Sequence, residues 1–319
     1  MNYRRLGKAG VKVSEIALGN WLTHGNGVGD DVARACIRKA YDLGVNFFDT
    51  ADIYNRGAAE EVFGRELAAF RRQDIVLATK LFWPMSDNVN DKGLSRKHTF
   101  EALHNSLRRL KTDYIDLYQC HRHDPEVEMF EIVRTMDDLT RQGKILYWGV
   151  SEWPAIEIAN ACAIARQINA YPPVSSQPEY SYAARRIETN GVISACRQEG
   201  VGNVVWSPLK QGLLSGKYSG GKVPADSRAA SDRMSGFLKE IDRRIVDRVD
   251  QLRGAAQRCG GTPAQLALAW LLRRETVSSV ITGATRVPQV EENCAAIDMK
   301  LDDAVMKQID ELFPARDFQ

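Results

Sequence analysis

A (β/α)8 barrel, the TIM-barrel architecture, is the fold this sequence predicts, and three observations carry it. Short runs rich in Val, Ile and aromatics recur at near-even spacing: EIALGNW, VNFFDT, IVLATK, YIDLYQC, ILYWGVS, VSSQPEY, NVVWSPL and SSVITGA. Amphipathic stretches of helical period separate most of them, among them DDVARACIRKAYDLG, AAEEVFGRELAAF and HTFEALHNSLRRLK. Glycine falls where a helix should stop and a strand begin, in LGV after the first of these stretches and in EGV before NVVWSPL. Eight strands alternating with helices in 319 residues match a single barrel domain spanning 1–319.

Taken in order, YRRLG and VKVSEI flank KAG and predict a short N-terminal hairpin under the barrel floor. EIALGNW is the first barrel strand, and VNFFDT, IVLATK and YIDLYQC are the second to fourth, each preceded by one of the helical stretches. ILYWGVS, VSSQPEY and NVVWSPL follow as the fifth to seventh. The spacing then breaks, because about 70 residues separate NVVWSPL from SSVITGA. They open with a polar stretch, SGKYSGGKVPADSRAASDRMSG, which reads as a long loop over the strand ends, placed to close on a ligand. Two helical patterns come next, giving an extra helix between strands seven and eight.

Composition excludes several functions. A content of 44% hydrophobic and 26% charged residues is that of a soluble protein with ample core. The 43 basic and 41 acidic residues nearly cancel, so no electrostatic case exists for nucleic acid or an anionic membrane as partner. The first residues, MNYRRLGKAGVKVSE, lack the apolar core of a secretory signal. No apolar run reaches the roughly 18 residues that span a bilayer. Six scattered cysteines without a CxxC pair read as free thiols, and the expected location is cytoplasmic.

Four polar residues stand at the ends of the second, third and fourth strands: Asp49 and Tyr54, Lys80, and His121. That rim is where parallel α/β folds build active sites. Reducing a carbonyl by hydride transfer puts negative charge on oxygen, so the site must deliver a proton. Tyrosine, with an ordinary pKa of about 10, is a sluggish acid near neutrality. A nearby ammonium favours the phenolate and lowers that pKa, and a carboxylate keeps the ammonium charged and oriented. Tyr54, Lys80 and Asp49 suit these roles, leaving His121 to hydrogen-bond the substrate oxygen. Singly, each has an ordinary structural explanation; the argument rests on their falling on neighbouring strands.

Two other motifs compete. GNGVGD at 25–30 is glycine-rich, lies between a strand and a helix, and precedes Asp49 by about 20 residues, as in a dinucleotide fingerprint. Its spacing is GxGxG rather than GxGxxG, so it reads as a loop. His121-Arg122-His123 puts two imidazoles at i and i+2 with Asp124 adjacent, a pattern that can share a metal in a barrel hydrolase. The other histidines, His24, His98 and His104, all precede it, so no later strand completes such a cluster.

DTADIYNRGAAEEVFGREL, ATK and DLYQCHRHD resemble the active-site segments of the aldo-keto reductase superfamily. VVWSPLKQGLLSGKY and ITGATRVPQVEEN are similar to its branch containing the β subunits of voltage-gated potassium channels and their bacterial relatives. The likeness runs from about residue 3 to 310. It implies Asp49, Tyr54, Lys80 and His121 as a catalytic tetrad, NADPH as cofactor and a small carbonyl compound as substrate. Channel subunits often carry Asn where this chain has His121, which argues for a working enzyme over a purely regulatory, cofactor-sensing subunit. Channel relatives form tetramers, so a homo-oligomer is implied as well.

The resemblance also implies the cofactor site. Ser151 and Gln177 hydrogen-bond the carboxamide, Trp206 lies against the nicotinamide, and Asn20, Trp21 and Asp49 stand near it. Ser207, Pro208, Leu209, Lys210 and Gln211 bracket the pyrophosphate, with Lys217 and Arg228 from the long loop. Gly283, Thr285, Gln289, Glu292 and Asn293 hold the adenosine end. Lys217, Thr285, Gln289 and Arg286 offer positive or donor groups to a 2′-phosphate, hence NADPH over NADH. Glu152 departs from the Asn or Arg of many relatives, and a carboxylate cannot donate to a carboxamide oxygen. Trp21, Tyr54, Phe82, Trp83 and His121 are the expected substrate pocket.

Overall fold

A computed structural model describes residues 1–21, 29–225, 227–230 and 241–318. The N-terminal hairpin pairs β1 (Tyr3–Arg5) antiparallel to β2 (Lys12–Ser14). Eight parallel strands follow: β3 (Ile16–Gly19), β4 (Phe47–Asp49), β5 (Val76–Leu81), β6 (Ile115–Cys120), β7 (Ile145–Ser151), β8 (Ser175–Gln177), β9 (Gly202–Val205) and β10 (Val277–Thr282). They pair in chain order, and β10 returns to β3 with Val280 opposite Ile16, closing the barrel. Helices on its outside include Asp30–Asp42, Ala58–Glu66, Arg96–Leu110, Met129–Arg141 and Ala155–Gln167. All eight expected strands are present.

Strand side chains alternate between two apolar environments, as a period of two requires. Ala17, Phe47, Val76, Ala78, Leu117, Val204 and Ile281 cluster within the barrel, joined by Leu6 and Val13 of the hairpin segment. Their neighbours Leu18, Phe48, Leu77, Tyr118 and Val205 belong to the larger core shared with the helices. Strands buried on both faces read as near-continuous apolar runs, which is why periodicity alone finds them.

The hairpin covers the N-terminal end of the barrel. The Arg4 guanidinium donates to the carbonyls of Leu272, Arg274 and Val277, and the Lys8 amide to that of Gly200 at 2.8 Å. Gly7 sits at φ +58°, and a Cβ there would lie 2.3 Å from the Gly200 oxygen, so only glycine passes.

Between β9 and β10 the chain makes short 3-10 turns at Lys210–Ser215, Ser219–Gly221 and Arg228–Ala230. Three helices follow rather than two: Arg243–Gln251, Arg253–Arg258 and Pro263–Leu272. The first two meet at Leu252, which ends one and begins the other. The last helix is fixed by a Thr262–Gln265 capping box with proline in its first turn. Residues 226 and 231–236 of the expected loop, and 25–28 of GNGVGD, lie outside the described residues.

Gly64 places the helix Ala58–Glu66 directly on backbone, because a Cβ there would lie 2.2 Å from the Arg109 oxygen. Helix propensity alone favours alanine by about 1 kcal/mol. The collision outweighs it, so Gly64→Ala should lower stability by roughly 1–3 kcal/mol, read as a lower urea midpoint.

Candidate active site

The alternation that fills the barrel interior with apolar side chains turns polar at its C-terminal end. Two residues on from Phe47 stands Asp49; two on from Ala78 stands Lys80; two on from Leu117 stands Gln119, and two further His121. Ser151 and Gln177 end β7 and β8 as directly paired residues, and Trp206 follows Val204. Register then sets the neighbours: Gly19 lies opposite Asp49, Asp49 opposite Ala78, and Lys80 opposite Gln119.

At the centre is Lys80, fully buried. Its Nζ donates to Asp49 Oδ1 at 2.6 Å, the Thr50 carbonyl at 2.7 Å and Tyr54 Oη at 3.1 Å. All three ammonium donors are thereby used. Asp49 Oδ2 accepts from Gln177 Nε2 at 2.9 Å and from Gln119 Nε2 at 3.3 Å. Burial works against the Lys80 charge, but the Asp49 carboxylate and the Tyr54 oxygen outweigh it and hold the ammonium above the ordinary lysine value.

Tyr54 begins a short turn after β4 in which Asn55 and Arg56 adopt left-handed backbone, with φ of 50° and 51°. Lys80 does lower the phenol's pKa, as expected, but it does not set the net direction. Burial raises it and Asp49 adds to the rise, while Lys80 pulls it down only in part, so the net direction is upward. The hydroxyl is therefore protonated at neutral pH.

His121 packs edge-on to Tyr54 and Trp83, with ring centres 5.8 and 6.3 Å apart. Burial, then the charges of Lys80 and Arg122, push its pKa well below the ordinary histidine value, so the imidazole is neutral. Its Nδ1 is buried without a protein partner. The neighbouring HRHD residues turn to other tasks. His123 faces Glu157 and Trp153, and Asp124 accepts from the Leu94 and Glu126 amides.

These groups open on a cleft of about 940 Å³ across the strand ends. Trp21, Asp49, Tyr54, Trp83, His121, Ser151, Gln177, Trp206, Ser207, Pro208, Leu209, Gln211, Lys217, Gly283, Thr285, Gln289, Glu292 and Asn293 all line it. Trp21 meets Trp206 edge-on at 5.9 Å and Tyr54 at 6.2 Å. At the far end the Thr285 amide donates to Gln289 Oε1 at 2.8 Å, and Thr262 Oγ1 to Glu292 at 2.7 Å.

Besides the buried Lys80, three expected site residues stand apart from that lining. Asn20 is buried beside it, donating from Nδ2 to the Ala59 carbonyl at 2.8 Å and leaving Oδ1 without a partner. Lys210 Nζ is turned to Glu179 at 2.7 Å. Phe82 packs against the main core and meets Trp83 edge-on. The Arg228 side chain lies outside what the structure describes.

Glu152 has a clear task. Its Oε1 accepts from Trp206 Nε1 at 2.9 Å and from the Glu179 amide at 2.5 Å, and its Oε2 pairs with Arg186. The residue sits at φ +56°, a strained backbone for a side chain, which aims the carboxylate at the indole. It thus holds the Trp206 ring in place. Gln119 and Arg122 were missed from the sequence. Gln119 precedes His121 by two, so side-chain parity puts it on the same face, but only the register opposite Lys80 shows its use.

Comparison with known proteins follows from this geometry. Residues 15–313 match the model of the family described as "Aldo/keto reductase family". A probable voltage-gated potassium channel subunit beta of Oryza sativa subsp. japonica is 41% identical, over 94% of this chain and 92% of the relative. A putative subunit of the same description from Schizosaccharomyces pombe is 41% identical over 97% of this chain and 92% of its own length. One from Arabidopsis thaliana is 42% identical over 94% and 92%.

Three outcomes follow from the site. Lys80→Met leaves the Asp49 carboxylate buried without its cation and should cost about 3–5 kcal/mol of stability in urea unfolding. For His121, whose folded pKa is depressed, the unfolded chain binds the extra proton, so stability is full above about pH 6.5 and falls as pH drops below it, by up to about 1.4 kcal/mol per unit. Paired urea titrations between about pH 5 and 7.5 should show His121→Gln with a shallower acid slope than wild type. Glu152→Ala orphans the Trp206 N–H and the Glu179 amide together. A loss of about 1–3 kcal/mol and a changed Trp emission maximum are expected.

Proposed function

The chain belongs to the aldo/keto reductase family, and from that premise we propose that it reduces aldehydes and ketones to alcohols with NADPH. The observation that carries the reading is the Lys80 ammonium, which holds Asp49 and the Tyr54 hydroxyl at once beside a neutral His121.

The cleft suits an elongated dinucleotide. Its length joins an aromatic end at Trp21 and Trp206 to a polar end at Thr285, Gln289 and Asn293. Between them Ser207, Lys210, Gln211 and Gly212 take left-handed backbone, the kind of turn that forms anion-binding concavities. The unpartnered Oδ1 of Asn20 is a buried acceptor beside this groove. In this reading Ser151 and Gln177 hold the carboxamide, Trp206 supports the nicotinamide, and Ser207 to Gln211 with Lys217 flank the pyrophosphate. Arg228 joins them from the loop. Gly283, Thr285, Gln289, Glu292 and Asn293 take the adenosine, and Thr285, Gln289, Lys217 and Arg286 favour a 2′-phosphate.

When bound, NADPH supplies the hydride that goes to the carbonyl carbon. Tyr54, protonated at neutral pH, gives its proton to the carbonyl oxygen. The phenolate left behind is stabilised by Lys80 at 3.1 Å, and Asp49 keeps that lysine charged. The neutral His121 imidazole donates a hydrogen bond to the same oxygen, orienting it toward Tyr54. No helix among the described residues is long and apolar enough to cross a membrane.

The test is NADPH oxidation with 4-nitrobenzaldehyde. Tyr54→Phe should lower kcat by at least about 100-fold while leaving the NADPH Kd, measured by fluorescence titration, close to wild type. Turnover of the wild type should decline only above about pH 10, where a phenol held above its ordinary pKa begins to ionise. Undiminished turnover by the phenylalanine variant defeats the assignment. A wild type that binds NADPH but oxidises it with no carbonyl supports a cofactor-bound regulatory subunit, as the relatives' names describe.

A further inference from the structure

The mouth of the barrel carries one cation that the reaction above does not use. Arg122 follows directly on His121, and its side chain lines the same cleft as Tyr54, His121 and Trp83. It is half-buried. Its Nη1 donates to the His121 carbonyl at 2.6 Å, and its guanidinium stands 5.4 Å from the centre of the Trp83 ring. Those contacts orient the group, and neither neutralises it.

No carboxylate of the described residues lies within 4.0 Å of Arg122. The carboxylate that acts on it is Glu152, at longer range, and that group is already bound to Trp206, the Glu179 amide and Arg186. Burial lowers the guanidinium's pKa, and the positive charge of Arg186 adds to the effect. Arginine nevertheless remains ionised, because its intrinsic pKa exceeds about 12. A half-buried cation with most of its donors unspent is costly to hold in an aromatic wall. A ligand oxyanion facing the guanidinium fork offsets that cost, and the fork matches carboxylate or phosphate geometry.

Its position ties this anion to the reacting group. The Arg122 charge acts on both the Tyr54 hydroxyl and the His121 ring. The same cleft is lined by the apolar side chains of Trp21, Ile53 and Trp83. The cationic and amide groups suited to a dinucleotide phosphate stand elsewhere in the cleft, at Lys217, Thr285 and Gln289.

We propose that Arg122 is an anion subsite, so that the substrate is a carbonyl compound bearing a carboxylate or phosphate a short chain away from the carbonyl carbon. Arg122 binds the oxyanion while Tyr54 meets the carbonyl oxygen. The substrate class rests on the reductase reading; the anion site does not.

The experiment compares matched pairs at saturating NADPH: succinic semialdehyde against butanal, and glycolaldehyde phosphate against glycolaldehyde. Wild type should favour the anionic member of at least one pair by about 10- to 100-fold in kcat/KM, and the favoured pair identifies the anion. Arg122→Gln should reduce that ratio at least tenfold, and Arg122→Lys should retain part of it. A wild-type ratio near one in both pairs, or a ratio that Arg122→Gln leaves unchanged, overturns the proposal. Calorimetric titration of succinate and of inorganic phosphate into the NADPH-loaded protein separates the two readings. Saturable binding lost in Arg122→Gln supports the subsite even in a protein that turns over no aldehyde. Binding of neither anion refutes it even in an active reductase.

Discussion

A lysine ammonium with no exposure to solvent is the constraint around which the mouth of this barrel is arranged. An ion there is tolerable only if every donor is met and a counter-charge is adjacent. Asp49, Thr50 and Tyr54 meet that demand from one side of the barrel. Gln177 and Gln119 then meet the remaining oxygen of Asp49, so the requirement of one strand spreads across four. The polar layer is thus a chain of obligations that begins with one charge. It also leaves the phenol as the member of the chain nearest the open cleft, where a proton has somewhere to go.

Around this layer the structure uses the backbone to aim side chains. Glu152 and Ser207 each take left-handed conformations just beyond a strand end, with φ of 56° in both. Such positions carry a cost of about 1–3 kcal/mol each and persist where the surroundings over-determine them. At Glu152 the surroundings are visible: an indole, an amide and a guanidinium all converge on its carboxylate. A residue unable to donate to a carboxamide is employed instead to steady the ring beside it.

Much of this was legible in the sequence, and the boundary of legibility is physical. The eight strands could be read because both of their faces are buried, so apolar runs stand out without any tertiary knowledge. Asp49, Tyr54, Lys80 and His121 could be read because they break those runs at their ends. Gln119 stayed hidden inside a strand, since its value depends on the register that puts it opposite Lys80. Register between strands is a property of the closed barrel and of no single segment. Arg122 was obscured differently, because the histidines on either side of it drew attention to a metal pattern. The upward shift of the Tyr54 pKa was beyond reach for a third reason: the balance between burial and a neighbouring charge requires the burial to be known.

The hairpin at the opposite end has a consequence for the kinetics of the proposed reaction. Leu6 and Val13 join Ala17, Phe47, Val76 and Leu117 in filling the barrel below Lys80, which makes the interior a dead end. A proton surrendered by Tyr54 is therefore replenished from the same doorway through which product departs. In the proposed reaction, recharging the acid and vacating the site would therefore share one passage.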